Sequence, residues 1–122
     1  MILVDTSVWI DHLRKSNAEL VALLGRGVVC IHEFVIGELA CGNLRNRPEI
    51  LAYLRNLSRT PVASMEEMLL FMDRRKLMGR GLGYVDANLL ASSAIGGAPL
   101  WTMDKSLHTA ASECGLALSR PD

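Results

Sequence analysis

Short apolar runs alternate along this chain with longer stretches in which apolar residues recur every three or four positions. The runs cover residues 2–5, 28–31 and 99–102, with weaker ones at 60–63 and 116–118. Continuous apolar runs of this length are typical of parallel strands that are covered on both faces. The pattern therefore predicts four to five short strands separated by helical segments.

Capping residues and glycines divide the intervening chain into helices. Ser64 and Glu67 have the spacing of a capping box, and Pro48 fits a first helical turn, where its missing N–H is tolerated. Alternating strands and helices predict one α/β domain over residues 1–122, with a mainly parallel central sheet. The predicted helices lie at about residues 7–14, 17–24, 33–42, 48–57, 64–78, 84–95 and 105–114.

Composition narrows the class of protein without indicating a partner. Half of the 122 residues are hydrophobic and the formal net charge is zero, so we expect an ample core and no bulk attraction to nucleic acid. Cys30, Cys41 and Cys114 are odd in number and lack CxxC spacing, which favours reduced core thiols over disulfides or a zinc site. Without a membrane-spanning run or a secretory signal, we expect a cytoplasmic protein.

Four carboxylates stand where predicted strands or loops lead into helices. Asp5 ends the first strand and Asp104 follows the fourth, while Glu38 lies in the helix after the second strand and Asp86 in the first turn of its own helix. In an open parallel sheet, ligands bind beyond the carboxyl ends of the strands. If the fold gathers all four carboxylates, a hard divalent cation such as Mg²⁺ or Mn²⁺ is the economical explanation.

Each carboxylate also has a purely structural explanation. Asp104 can cap a helix, Asp5 can accept hydrogen bonds from nearby amides, and Asp86 gains from the helix dipole. Glu38 is harder to explain in this way, because apolar residues flank it on both sides in the sequence. We therefore expect Glu38 to be a charge set among apolar neighbours, which needs a partner.

Four motifs occur in order along nearly the whole chain. They are Val-Asp-Thr-Ser-Val-Trp-Ile-Asp at residues 4–11, Gly-Glu-Leu at 37–39, Gly-Tyr-Val-Asp-Ala-Asn-Leu-Leu-Ala at 83–91 and Thr-Met-Asp at 102–104. The first and third are together quite specific, whereas the last would be weak alone. In this combination they resemble the PIN-domain ribonucleases, and more closely the small VapC-type toxins of bacterial toxin–antitoxin pairs.

The resemblance implies a three-layer α/β/α PIN domain and a metal-dependent endoribonuclease, the toxin of a VapBC-type module. A metal-activated water would leave 5′-phosphate and 3′-hydroxyl ends on the RNA. The family also implies a homodimer and a cognate VapB-type antitoxin. Leu107 departs from the family, which often has an aromatic residue there; the change affects packing behind the site. The residues that match the catalytic and Mg²⁺- or Mn²⁺-binding quartet are Asp5, Glu38, Asp86 and Asp104, and those that match its supporting hydroxyls are Thr6, Ser7 and Thr102.

The densest basic cluster is a candidate for contact with RNA phosphates. It comprises Arg74, Arg75, Lys76 and Arg80, beside the segment that leads to the third motif. The structural alternative is a solvated helix end, where cations complement the helix dipole. The histidines show no paired spacing and are assigned to packing or surface roles, with His32 the one to test because it immediately precedes the helix of Glu38.

Two other functions remain open. A housekeeping RNA-processing PIN nuclease would share the same acids, and only growth arrest on expression, relieved by a neighbouring gene product, separates it from a toxin. A non-catalytic PIN-like RNA-binding or interaction domain usually loses acids, and all four are present here. A small phosphohydrolase is disfavoured, because it would carry a second Asp two residues after the first, and Asp5 is followed by Thr6 and Ser7.

Overall fold

Four short parallel strands form the centre of the protein, whose computed structural model describes residues 1–119. The strand order is β3-β2-β1-β4, and every neighbouring pair is parallel. All three side chains of β2 are buried, although successive side chains point to opposite faces, so both faces of the sheet are covered. The strands are β1 (Ile2–Val4), β2 (Val29–Ile31), β3 (Ser58–Arg59) and β4 (Leu100–Trp101).

Seven helices in the described part of the chain cover this sheet, giving the predicted three-layer α/β/α arrangement. Their limits follow the capping residues: Ser64 and Glu67 form the predicted capping box, and Pro48 lies in the first turn of its helix. The helices are α1 (Thr6–Lys15), α2 (Ala18–Gly25), α3 (Glu33–Ala40), α4 (Arg47–Arg55), α5 (Met65–Arg75), α6 (Tyr84–Gly96) and α7 (Lys105–Glu113).

The third strand does not lie where the apolar pattern predicts it. We expected it at residues 60–63, but β3 covers Ser58–Arg59, whose side chains are exposed. An edge strand of this kind pairs through its backbone and gives no apolar run, so the pattern could not mark it. The following segment is held by side chains of α6 instead: the Ala63 N–H donates to Ser92 Oγ, and its carbonyl accepts from Asn88 Nδ2.

The predicted fifth strand is reduced to a single bridge. Ala117 pairs with Leu100 of β4, and the backbone of Leu100 exchanges hydrogen bonds with Leu116 and Leu118 at 2.7 and 2.9 Å. The prediction of a complete strand at residues 116–118 was therefore wrong. This bridge and its two hydrogen bonds cover the outer edge of β4. A strand edge left open could pair with another chain.

The core contains both tryptophans and most of the apolar strand residues. Trp9 and Trp101 are almost completely buried, as the sequence predicts. The three cysteines are free thiols, but only Cys30 is buried, while Cys41 is exposed, so the expectation that all three lie in the core was wrong for Cys41. Within residues 1–119, no helix combines the length and the apolar character that a membrane crossing requires.

The chain changes direction across the sheet at β1. From β1 it runs outward through β2 to β3 on one side, and then crosses to β4 on the other side. Such a switch in strand order opens a crevice beyond the carboxyl ends of the two strands that flank it. Asp5 directly follows β1 and Thr102 directly follows β4, so both residues lie at this crevice.

Candidate active site

Asp5 is the buried acid of the site. Only 5% of its surface is exposed, and its Oδ2 accepts hydrogen bonds from Ser7 Oγ at 2.8 Å and Thr102 Oγ1 at 2.6 Å. The two hydroxyls also contact each other at 3.2 Å, and the Met103 N–H donates to Ser7 Oγ. These bonds join the ends of β1 and β4 and fix the Asp5 carboxylate, which a buried charge requires.

Glu38 occupies a different environment from the one that its apolar neighbours predict. Its side chain is exposed, whereas Val35 and Leu39 of the same helix are buried in the core. The expectation of a charge set among apolar groups was therefore wrong: the flanking apolar residues reflect helix amphipathicity, not burial of Glu38. The carboxylate is nevertheless positioned, because Thr6 Oγ1 donates to Glu38 Oε1 at 2.6 Å across 32 residues of sequence.

Asp86 and Asp104 both bind backbone amides at the start of a helix. The Gly83 N–H donates to Asp86 Oδ2 at 3.1 Å, and the Leu107 N–H donates to Asp104 Oδ1 at 2.9 Å. The predicted capping role of Asp104 is thus confirmed. The Asp104 N–H donates in turn to Thr102 Oγ1, the hydroxyl that binds Asp5, so the two acids share one threonine.

One oxygen of each carboxylate accepts all of its hydrogen bonds. Among the residues that the structure describes, no protein donor reaches the other oxygen of any of the four: Oδ1 of Asp5, Oε2 of Glu38, Oδ1 of Asp86 and Oδ2 of Asp104. The protein thereby orients each side chain and leaves one of its two carboxylate oxygens without a hydrogen-bond donor among the described residues.

The four negative charges act on one another. Burial raises the pKa of Asp86, and the negative charges of Asp5, Asp104 and Glu38 raise the pKa further, against the hydrogen bond from Gly83, which lowers it. Within residues 1–119, no three His, Cys, Asp or Glu side chains stand as a group ready to hold a metal ion. The fold therefore brings Asp86 within electrostatic reach of the other three acids at one edge of the sheet.

His32 belongs to a buried network that joins β2 to α6. Its Nδ1 accepts from the Phe34 N–H, so the proton of the neutral ring is on Nε2, which lies 2.8 Å from Asn88 Oδ1 and 3.1 Å from Ser92 Oγ. Asn88 and Ser92 then hold the backbone of Ala63. The sequence predicted a packing or surface role for His32 but not its hydrogen-bond partners. Of these, only Asn88 lies within a family motif, and no sequence spacing links either partner to His32.

Two residues of the predicted basic cluster have partners within the protein. Arg80 forms a bidentate salt bridge with Glu113 at 2.8 and 2.9 Å, and Arg75 lies over the Phe71 ring at 5.6 Å. Glu113 ends α7, nine residues after Asp104, which corresponds to about 13.5 Å along a helix. The structure therefore gives Arg80 a carboxylate partner at the opposite end of α7 from the acidic site.

Known proteins match this chain over nearly its full length. The model of the PIN domain family matches residues 2–113. The protein named Ribonuclease VapC32 in Mycobacterium tuberculosis, from strains CDC 1551 and H37Rv, is 54% identical over 120 residues, which cover 98% of this chain and 97% of the relative. The sequence segments that resemble this family are the ones that supply the acids and hydroxyls described above. The chain belongs to the PIN-domain family, within its VapC-type ribonucleases.

Proposed function

We propose that this protein is a metal-dependent endoribonuclease and the toxin of a VapBC-type module. The observation that carries the proposal is the shared pattern of the acids: one oxygen of each is bound by the protein, and the other has no donor among the described residues. These carboxylates are held in place at the crevice where the strand order switches, and each has one oxygen without a donor in the described part of the chain. Such an arrangement suits a cationic ligand. The identity to Ribonuclease VapC32 supports RNA as the substrate.

The donor set fits a hard divalent cation. All four candidate ligands are carboxylate oxygens, which suit Mg²⁺ or Mn²⁺ better than softer metals. When bound, such an ion lowers the pKa of a coordinated water and offsets the charge between the acids and the phosphate. Asp5, Glu38, Asp86 and Asp104 would hold it.

The remaining residues keep these acids in place. Ser7 and Thr102 hold Asp5, and Thr6 holds Glu38, so the three hydroxyls connect both edges of the crevice to α1. In the reaction, a water oxygen attacks phosphorus, the bond from phosphorus to O3′ breaks, and the water gives up a proton while O3′ gains one from solvent. The products are a 5′-phosphate and a 3′-hydroxyl.

Sequencing the ends of cleaved RNA tests the reaction. Purified protein with Mg²⁺ or Mn²⁺ is expected to cut RNA and leave 5′-phosphate ends, and EDTA is expected to abolish cleavage. Asp5→Asn should lose at least about a hundredfold in rate with the fold retained, since the site loses a central charge. Asp73→Asn, an exposed acid on α5, is the matched control and should cut normally. Undiminished cleavage in EDTA, or cyclic 2′,3′-phosphate ends, contradicts the mechanism.

The family relationship supports three further parts of the proposal. The protein acts as a single PIN domain in the cytoplasm, forms a homodimer, and is neutralised by a cognate VapB-type antitoxin. Growth arrest on expression, relieved by a neighbouring gene product, would distinguish this toxin from a housekeeping nuclease.

A further inference from the structure

An open groove of about 820 Å³ lies between α3, the end of α4, β3 and the start of α6. Glu38 lines it, so the groove leads away from the acidic site. Phe34 and Tyr84 contribute an aromatic surface, and Arg55 and Arg59 contribute two cations. None of these four residues belongs to the acidic quartet or to its supporting hydroxyls.

Three aromatic rings form a ladder from the core to the surface of this groove. The buried His32 ring meets Phe34 edge to face, with centroids 5.0 Å apart, and Phe34 stacks on Tyr84 at 5.9 Å with an interplanar angle of 28°. Tyr84 is 53% exposed. The ladder thus ends in an open aromatic ring that is supported from behind by the buried His32 network.

The ladder lies next to two of the acids in sequence and space. Phe34 precedes Glu38 by four residues, so both lie on the same face of α3, about 6 Å or just over one turn apart along its axis. Tyr84 precedes Asp86 by two residues in the first turn of α6. Since Tyr84 and Glu38 line the same groove, a planar group stacked on Tyr84 would lie in the groove that leads to the carboxylates.

The cations of the groove are available to an anionic ligand. Within residues 1–119, neither Arg55 nor Arg59 forms a salt bridge, and Glu33 and Glu38 also line the groove. Arg59 ends β3, at the same edge of the parallel sheet as the residues that follow β1 and β4. A chain with regular negative charge and flat apolar groups suits a groove with two unpaired arginines and one exposed aromatic ring.

We propose that Tyr84, supported by Phe34, is a stacking platform for an unpaired RNA base beside the scissile phosphate, and that Arg55 and Arg59 contact the neighbouring phosphates. The inference rests on the proposed ribonuclease function and adds a position for the substrate strand. Stacking on an aromatic ring needs a base that is free of a duplex, so the platform selects single-stranded segments.

Steady-state cleavage of a single-stranded RNA by the full-length protein tests the platform. Tyr84→Ala is expected to raise KM about tenfold with kcat within about twofold of the wild type, and Tyr84→Phe to restore KM, because the ring alone is needed. Tyr53→Ala is the matched control, since Tyr53 is 48% exposed and lines a separate hollow with Trp9 and Leu24. A purely structural loss would lower kcat through the folded fraction and leave KM unchanged.

Binding without cleavage provides an independent measurement. In EDTA, fluorescence anisotropy with a labelled ten-nucleotide oligouridylate should show weaker binding to Tyr84→Ala than to the wild type. In a series of the same oligonucleotides, each with one abasic position, one member should bind the wild type and Tyr84→Ala with the same affinity.

For Arg59→Ala, the slope of log affinity against log salt should fall by about 0.7, the value for one phosphate contact on a single strand. Arg26→Ala, at the opposite edge of the sheet before β2, should not change the slope.

The possible outcomes separate this inference from the proposed function. If the wild type cuts RNA but Tyr84→Ala matches Tyr53→Ala in KM and in binding, the platform is wrong and the nuclease stands. If Tyr84→Ala cuts RNA normally but escapes inhibition by the antitoxin, the groove is a protein-docking surface and the platform is again overturned. If the wild type itself neither cuts nor binds RNA, the proposed function fails first.

Discussion

At the scale of single residues, burial distinguishes the four acids in a way that the sequence does not. Asp5 is buried and depends on two hydroxyls, whereas Glu38 is exposed and depends on one. Thr102 contributes to two acids at once, as a donor to Asp5 and an acceptor from the Asp104 amide. Loss of the Thr102 hydroxyl therefore disturbs the surroundings of both acids.

His32 should make the protein less stable in mild acid. Burial lowers the pKa of His32 below its usual value of 6.5, against the weaker opposing effects of its Asn88 hydrogen bond and the Glu33 charge. Below pH 6.5 the unfolded chain binds a proton at this residue that the folded chain does not, so stability falls with pH down to the lowered pKa. The slope contributed is at most about 1.4 kcal/mol per pH unit.

Urea unfolding at pH 7.5 and 5.5 measures this effect. His32→Gln keeps a donor for Asn88 but does not titrate, so it should lose less stability than the wild type between the two pH values. Equal losses in the two proteins would contradict the assignment of the pH dependence to His32.

At the scale of elements, periodicity and caps predicted the helices well and the edge strands poorly. The seven helices begin and end within a few residues of the predicted limits, because Ser64, Pro48 and Asp104 act locally. The predictions of the third and fifth strands were wrong because pairing at a sheet edge is a backbone interaction that leaves no apolar pattern in the sequence. Long-range side-chain bonds to Ala63, which the sequence cannot show, then determine the path after β3.

Two glycines in helices should respond in opposite ways to the same substitution. A Cβ on Gly96 would lie 2.8 Å from Thr60 Oγ1 and 3.1 Å from Pro61 Cδ, so Gly96→Ala is expected to cost about 1–3 kcal/mol of unfolding free energy through overpacking. A Cβ on Gly37 meets no atom within 4 Å, so Gly37→Ala should stabilise the protein by about 0.5–1 kcal/mol through helix propensity.

Denaturant unfolding of the two variants makes this comparison directly. Both changes add the same methyl group, to the interior of α3 at Gly37 and to the last residue of α6 at Gly96. A gain in stability for Gly96→Ala would show that the segment after β3 can move away from α6 at little cost.

At the scale of the whole molecule, the strand order decides where function lies. The placement of four acids at segment boundaries predicted their common edge, and the family motifs predicted which hydroxyls accompany them. What the sequence could not supply is the groove, since Tyr84, Phe34 and Arg59 come from three separate elements and only Tyr84 lies within a motif. Sites that are built on contacts between distant elements have no local signature, whereas sites at strand ends do.

Divalent cations should stabilise the folded protein as a whole. Mg²⁺ or Mn²⁺ binds the assembled acids but not the unfolded chain, so at a hundredfold excess over its Kd the gain is about 2.7 kcal/mol. Thermal unfolding with the cation and with EDTA should therefore give a higher midpoint with the cation. Asp86→Asn should reduce this difference and Asp73→Asn should retain it. An equal shift in both variants would place the stabilising ion elsewhere.

The bond between Thr102 and Asp5 joins residues 97 positions apart. During synthesis, the chain therefore carries Asp5, Glu38 and Asp86 well before it carries the partner that fixes Asp5. Since β4 must pair with β1 to bring that partner into place, a nascent chain on the ribosome has an incomplete acidic centre. The acidic site is therefore complete only once β4 has been made and has paired with β1.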